Sequence, residues 1–343
     1  MSRMSLMLSS AALAFAALPA SAEVWRLSSM MTPDSFEGQA YQRFADLVEE
    51  YTDGDITVRI YPNEQIGSMD SVVEQLSQGL VQLAPSGISF MSRWEDGIRY
   101  AAAPFLFEDY AHWSAFVEGD LFQGWLDSVE DQAGITILGN IPDMPRGSFR
   151  TLLSSTPVET ADDIEGLRLR QYQDELIIES WEHLGTEVRV LPWGEVYDGI
   201  NRGIVDAVTA PAELITSMRF YEVAPNIIRT DEYPQAVAWM MNADAWNALS
   251  DENKDAMLRA HADAAAYSTE LLAQESETLT QDLEAMDGVS VNFDFDTAPL
   301  IASMQDFYEQ RGADGELPEG LLDAVEAARS ESAGASEDAP AAQ

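Results

Sequence analysis

The sequence predicts an α/β fold of two lobes, each a mostly parallel or mixed sheet flanked by helices, with one long helix crossing both lobes or bending. Three observations carry that expectation. Strand and helix patterns alternate over residues 24–87, the alternation returns over 167–209, and a stretch rich in Ala, Leu, Glu and Asp runs over 245–286 without glycine or proline. Alternating strands and helices put helices on both faces of a largely parallel sheet, and two such units imply a cleft between two lobes.

The elements follow in order. Residues 24–28 read as a strand, and the turn Thr32-Pro33-Asp34-Ser35 offers Asp34 or Ser35 as the cap of a helix over 36–51. Ala40, Phe44, Leu47, Val48 and Tyr51 share one face of that helix, the spacing of an amphipathic helix laid on a sheet. A strand over 56–61, a helix over 71–78 and a short apolar strand over 81–84 complete the first unit. The second unit has strands over 167–171, 187–190 and 205–209, with helices over 174–184 and 195–201. In open sheets of this kind ligands sit beyond the carboxyl ends of the strands. The expected walls of a site are therefore the loops after Ser28, after Ala84, around Arg170 and after Thr209. A continuous helix over 245–286 would span some 60 Å at about 1.5 Å per residue, longer than one lobe, so it must bend or cross between lobes.

The two ends read differently from the middle. Arg3, an apolar run over 8–18 and Ala20-Ser21-Ala22 are the three parts of a secretory signal, with cleavage expected after Ala22. The apolar core falls short of the roughly 20 residues a spanning helix needs. Beyond Arg329 apolar periodicity stops, and 330–343 is expected to be a disordered tail.

Composition removes whole classes of function. With 18 Lys and Arg against 60 Asp and Glu the formal charge is −42, which repels nucleic acid and anionic membranes. The few arginines become informative against that background, because an anionic ligand needs a local positive pocket. The chain has no cysteine, which excludes disulfide scaffolds, thiol enzymes, cysteine-ligated metals and a lipid acceptor after the cleavage site. A secreted hydrolase is the rival class. Its three histidines, His112, His183 and His261, are widely separated in segments that read as helical. No Gly-x-Ser-x-Gly elbow, His-Glu-x-x-His or phosphate loop occurs, so neither a catalytic set, a metal nor a cofactor is expected.

Six phrases in order carry a family resemblance. They are Phe44-Ala45-Asp46-Leu47-Val48-Glu49-Glu50, Tyr61-Pro62-Asn63-Glu64-Gln65-Ile66-Gly67-Ser68, Asp162-Asp163-Ile164-Glu165-Gly166-Leu167-Arg168-Leu169-Arg170, Pro192-Trp193-Gly194-Glu195-Val196-Tyr197, Gly203-Ile204-Val205-Asp206-Ala207 and Met241-Asn242-Ala243-Asp244-Ala245-Trp246. Together the chain resembles the solute-binding proteins of tripartite ATP-independent periplasmic (TRAP) transporters, in the branch named after dicarboxylate uptake. The resemblance implies a class II-like periplasmic binding protein fold that closes on a small organic anion. It further implies a monomer that docks on a permease of two unlike membrane subunits and performs no chemistry. The implied boundaries are a signal peptide over 1–22, a first lobe over 23–147 and 236–275, a second over 148–235 and 276–329, and the tail.

The resemblance assigns Arg170 to the ligand carboxylate, a choice that suits a planar fork of donors that stays charged when desolvated. It brings Arg150 to the same carboxylate, packs Trp193 on the ligand, and draws contacts from the first lobe through Ser89 and Phe90. One departure is Ala210, where the family commonly has asparagine. Loss of that amide would leave Glu213 or Thr209 to supply polar contact. It weakens the dicarboxylate label and favours a monocarboxylate, or a zwitterion held by Trp193 and Glu213. A protein that presents its ligand to a membrane sensor would need the same closing cleft.

Overall fold

The structure is a computed structural model that describes residues 22–337, with side chains to 333; the expected signal segment lies outside the described residues apart from Ala22. The first sheet is built from β1 (Glu23–Ser28), α1 (Phe36–Tyr51), β2 (Ile56–Tyr61), α2 (Met69–Ser77), β3 (Leu83–Ser86), α3 (Tyr110–Glu118), α4 (Asp120–Ala133) and β4 (Ile135–Ile137). The chain then crosses to β5 (Arg150–Ser154), β6 (Arg168–Gln171), α5 (Glu175–His183), β7 (Glu187–Val190), α6 (Val196–Asn201), β8 (Ala207–Pro211), α7 (Leu214–Ser217) and β9 (Asn226–Arg229). It returns through β10 (Ala238–Asn242), α8 (Ala243–Ala248), α9 (Asp251–Ala285), β11 (Ser290–Asn292), α10 (Ala298–Asp314) and α11 (Leu321–Glu337).

Two mixed sheets result, one of five strands in the order β2-β1-β3-β10-β4 and one of six in the order β11-β9-β5-β8-β6-β7. The parallel pairs β1–β2, β1–β3, β6–β7 and β6–β8 join strands that the alternation predicted. The strands missed are β5 and β10, which directly follow the two crossings between lobes, with β4, β9 and β11. All five residues of β5 and of β10 are buried, so neither shows the apolar-polar alternation by which a strand is recognised.

The two crossings run side by side. Val237 donates its backbone N–H to Met144 O, Arg146 donates to Gln235 O, and Pro145 bridges Ala236. Gly147 ends this short ribbon at φ +92, with Pro211 Cβ 2.7 Å and Glu213 Oε2 2.9 Å from where a Cβ would lie, so only glycine fits.

α9 packs along α1 in the first lobe, where Tyr51 donates to Asp263 Oδ2 at 2.7 Å, and reaches the second lobe where Ser276 donates to Glu213. Its 35 residues span about 52 Å. The expected unbroken helix over 245–286 is corrected. Leu249 is extended, and Ser250 starts α9 afresh by accepting from the Asn253 N–H at 3.2 Å, an N-cap that the Ser-Asp-Glu sequence spells out.

The C-terminus needs two further corrections. α10 packs on α5 in the second lobe, but α11 returns to pack on α3 in the first, so 321–329 do not belong with the second lobe. Nor does order stop at Arg329, because α11 continues to Glu337; residues 338–343 lie outside the described residues. Leu321, Val325 and Ala328 are buried against the first lobe, and a docked turn lets helix propagate cheaply through Ala, Ser and Glu that have no apolar face of their own.

Candidate functional site

A cavity of about 120 Å³ lies between the two sheets, at the carboxyl ends of their parallel strands. The loop after β1 supplies Met30 and Met31, the loop after β3 supplies Ser89 and Phe90, and the end of β6 supplies Arg170 to Gln173. Trp193 enters after β7, Thr209 and Pro211 come from β8, and the return crossing adds Tyr233 and Gln235. All four loop regions expected from the sequence line this cavity.

Three guanidinium groups line it, and their partners separate them. Arg146 forms a fork with Glu37 on the first turn of α1, both bonds at 2.7 Å, and Tyr41 donates to the same carboxylate. Arg150 donates from Nε to Glu232 at 2.7 Å and from Nη1 to Gln235 at 3.0 Å, with its guanidinium 4.3 Å from the Tyr233 ring centroid. Burial disfavours the charge of Arg150, but Glu232, Tyr233 and Tyr172 together outweigh it and hold the group above its ordinary range.

Arg170 differs. It is only 6% exposed, its Nε donates to Leu191 O at 2.8 Å, and the face of Trp193 lies 5.3 Å from it. Among the described residues no carboxylate comes within ion-pair distance of it. Burial pushes its pKa down to about 10, against the opposing charge of Glu64, so it remains a cation at neutral pH. A buried cation without a counterion is costly unless an anion joins it.

The lobes are closed over this cation. Glu64 in the first lobe accepts from the Gly194 N–H in the second at 2.9 Å, Ser89 and Tyr172 hydroxyls are 3.1 Å apart, and Ser92 donates to Asp174 Oδ2 at 3.0 Å. A family model described as bacterial extracellular solute-binding protein, family 7, matches residues 27–313. The chain belongs to this family.

Family 7 proteins are the solute-binding components of TRAP transporters, binding proteins rather than enzymes, and are periplasmic. A solute-binding protein of Sulfitobacter sp. strain NAS-14.1 is 30% identical over 277 residues, covering 80% of this chain and 82% of that protein. The C4-dicarboxylate-binding periplasmic protein of Rhodobacter capsulatus is 27% identical over 267 residues, covering 77% and 79%. Among solved structures, a TRAP periplasmic solute-binding protein of Roseobacter denitrificans with bound L-galactonate superimposes with a TM-score of 0.80 at 22% identity, covering 90% of this chain and 99% of that one. No helix among the described residues is long and apolar enough to cross a membrane.

Within this family 7 protein, five of the seven expected site residues, Arg170, Arg150, Trp193, Phe90 and Ser89, line one cavity. The other two do not. On β8 the side chains alternate, so Thr209 and Pro211 face the cavity while Ala210 packs into the core. The residue at 210 is thus not a hole in the pocket wall. Glu213 points to the crossing ribbon, where Ser148 N–H and hydroxyl and the Ser276 hydroxyl all donate to it. Glu213 is therefore not the acid that would meet the cation of a zwitterion.

Sequence reasoning missed Arg146, Tyr172, Tyr233 and Gln235. Tyr172 and the Gln171–Gln173 pair were within reach, since they follow Arg170 directly. Tyr233 and Gln235 were not, because they reach the cavity only through the return crossing. The three histidines are structural: His112 Nε2 lies 2.9 Å from Val325 O, His183 Nε2 3.1 Å from Ser303 O, and His261 is buried beside Trp239.

Proposed function

We propose that this protein captures a small organic acid by closing both lobes on a carboxylate held by Arg170, and releases it to a TRAP permease. The observation that carries the reading is the buried Arg170 guanidinium, which lines the cavity with no carboxylate at ion-pair distance among the described residues. In the open form Arg170 and Arg150 are hydrated; the anion binds the second lobe, and contacts from Ser89 and Phe90 then favour the closed population. Differential affinity for the closed form is the driving force, and closure reshapes the outer surface that a permease meets. The related proteins with bound galactonate, galacturonate and pantoate are consistent with an acid as ligand. The protein acts as a monomer in the periplasm after cleavage behind Ala22.

Thermal-shift screening of the purified protein against small carboxylates, sugar acids and zwitterions tests this, because a ligand that binds only the folded form raises its apparent stability. Hits are expected among acids. In Arg170→Gln those hits should lose about 2–5 kcal/mol of affinity by calorimetry, the cost of removing a buried charge partner. Affinity retained within a few-fold, or stabilisation by neutral and cationic solutes only, would assign Arg170 a purely structural part.

A further inference from the structure

Given that the site takes a carboxylate, we infer that its ligand is a monoanion with a largely apolar body, and that Glu232 is the residue that excludes a second negative charge. The inference rests on that reading of Arg170 and extends it by counting charges around the cavity. Of the three guanidinium groups on its wall, two are neutralised from within: Glu37 and Glu232 are each 0% exposed and sit on Arg146 and Arg150. Glu232 is itself locked in place, since Thr230 donates to its second oxygen at 2.6 Å and the Phe105 N–H donates to its backbone carbonyl. One cation without an ion-pair partner remains, and two acids of the first lobe, Glu64 and Asp70, also line the cavity. A dianion would bring a second charge that no free cation meets, into a site edged by two carboxylates.

Several polar side chains on the wall are committed to one another. Thr209 Oγ1 accepts from Arg150 Nη2 and Gln171 Nε2, the Gln235 amide oxygen accepts from Arg150, and Ser89 is bonded to Tyr172. Met30, Met31, Phe90, Trp193, Pro211 and Leu214 are apolar surface on the same wall, and Ser68, Gln173 and Tyr233 are the few further uncharged polar side chains beside them. A polyhydroxylated acid would bury hydroxyls against this surface without enough partners, which costs affinity for each one left unpaired.

Three six-carbon acids separate the possibilities by calorimetry on the purified protein: hexanoate, its dicarboxylate adipate, and galactonate, which has the same chain length with five hydroxyls. Hexanoate should bind at least about tenfold more tightly than either of the others, and Glu232→Gln, which leaves Arg150 charged but uncompensated, should raise adipate affinity relative to hexanoate by about tenfold or more. Adipate or galactonate binding best to the unaltered protein overturns the inference while leaving the carboxylate reading intact. An unchanged adipate-to-hexanoate ratio in folded Glu232→Gln removes Glu232 from the role; should that variant not fold, the comparison of three acids on the unaltered protein decides alone. Failure of all three acids, and of every other carboxylate, overturns both the inference and the reading beneath it.

Discussion

Arginines at 146, 150 and 170 share one cavity wall yet do three different things, and their partners decide which. Arg146 is structural: its fork with Glu37 ties the crossing ribbon to the first turn of α1. Glu37→Gln would leave Arg146 buried with its charge unmet, and removing one member of a buried pair costs about 3–5 kcal/mol, to be read from denaturant unfolding. His261 gives a pH test. Burial pushes its pKa down to about 4 in the folded protein, with Asp143 opposing the shift, while the unfolded chain titrates near 6.5. Between those values the unfolded state binds more protons than the native state, so this residue's contribution is whole above pH about 6.5 and is lost as pH falls toward 4. The stability advantage of the unaltered protein over His261→Gln should therefore shrink on acidification across that window, by at most about 3 kcal/mol, as read from urea midpoints. An advantage that stays constant would mean that His261 is not held neutral.

At the scale of elements, the caps decide where helices begin and the parity of strands decides what faces the site. Ser250 accepts from Asn253 N–H at the start of α9, immediately after α8 has ended. Ser250→Ala should cost about 1 kcal/mol, the usual worth of an N-cap, with ligand affinity unchanged because α9 meets the cavity nowhere. A loss near zero would mean that packing of α9 on α1 sets the boundary without help from the cap. The alternation on β8 had a larger consequence for function: a shift of one residue put Thr209 rather than residue 210 on the cavity wall.

For the molecule as a whole, the proposed function depends on the balance between open and closed lobes. The ribbon of the two crossings and α9 connect the lobes, and Ser92 to Asp174 closes the cleft opposite them. Asp174 also accepts from Ile177 N–H as the cap of α5, so it stays bonded when the lobes part. Ser92→Ala removes one hydrogen bond across the cleft and spares the cap, while Arg99 stays beside Asp174. A hydrogen bond to a charged acceptor is worth about 1.5–3 kcal/mol, so ligand affinity should fall by about tenfold or more while the unfolding midpoint of the free protein hardly moves. Unaltered affinity would show that Ser92 is a bystander to closure.

By itself the sequence determined the lobed α/β architecture, the four loop regions around the cleft and five of the residues on its wall. These are local facts: periodicity selects helix or strand, caps sit beside the elements they start, and the loop after a strand stays at that strand's end. Those patterns placed the loops, and the resemblance carried by the six phrases assigned Arg170, Trp193, Ser89 and Phe90 to the ligand within them. Tertiary structure alone decided what those residues mean. Glu37 and Glu232 lie 109 and 82 residues from the arginines they neutralise. Tyr233 and Gln235 arrive on the return crossing between lobes, and α11 returns to the first lobe through contacts distant in sequence. Charge compensation is a matter of distance in space, and no pattern along the chain records which acid reaches which arginine.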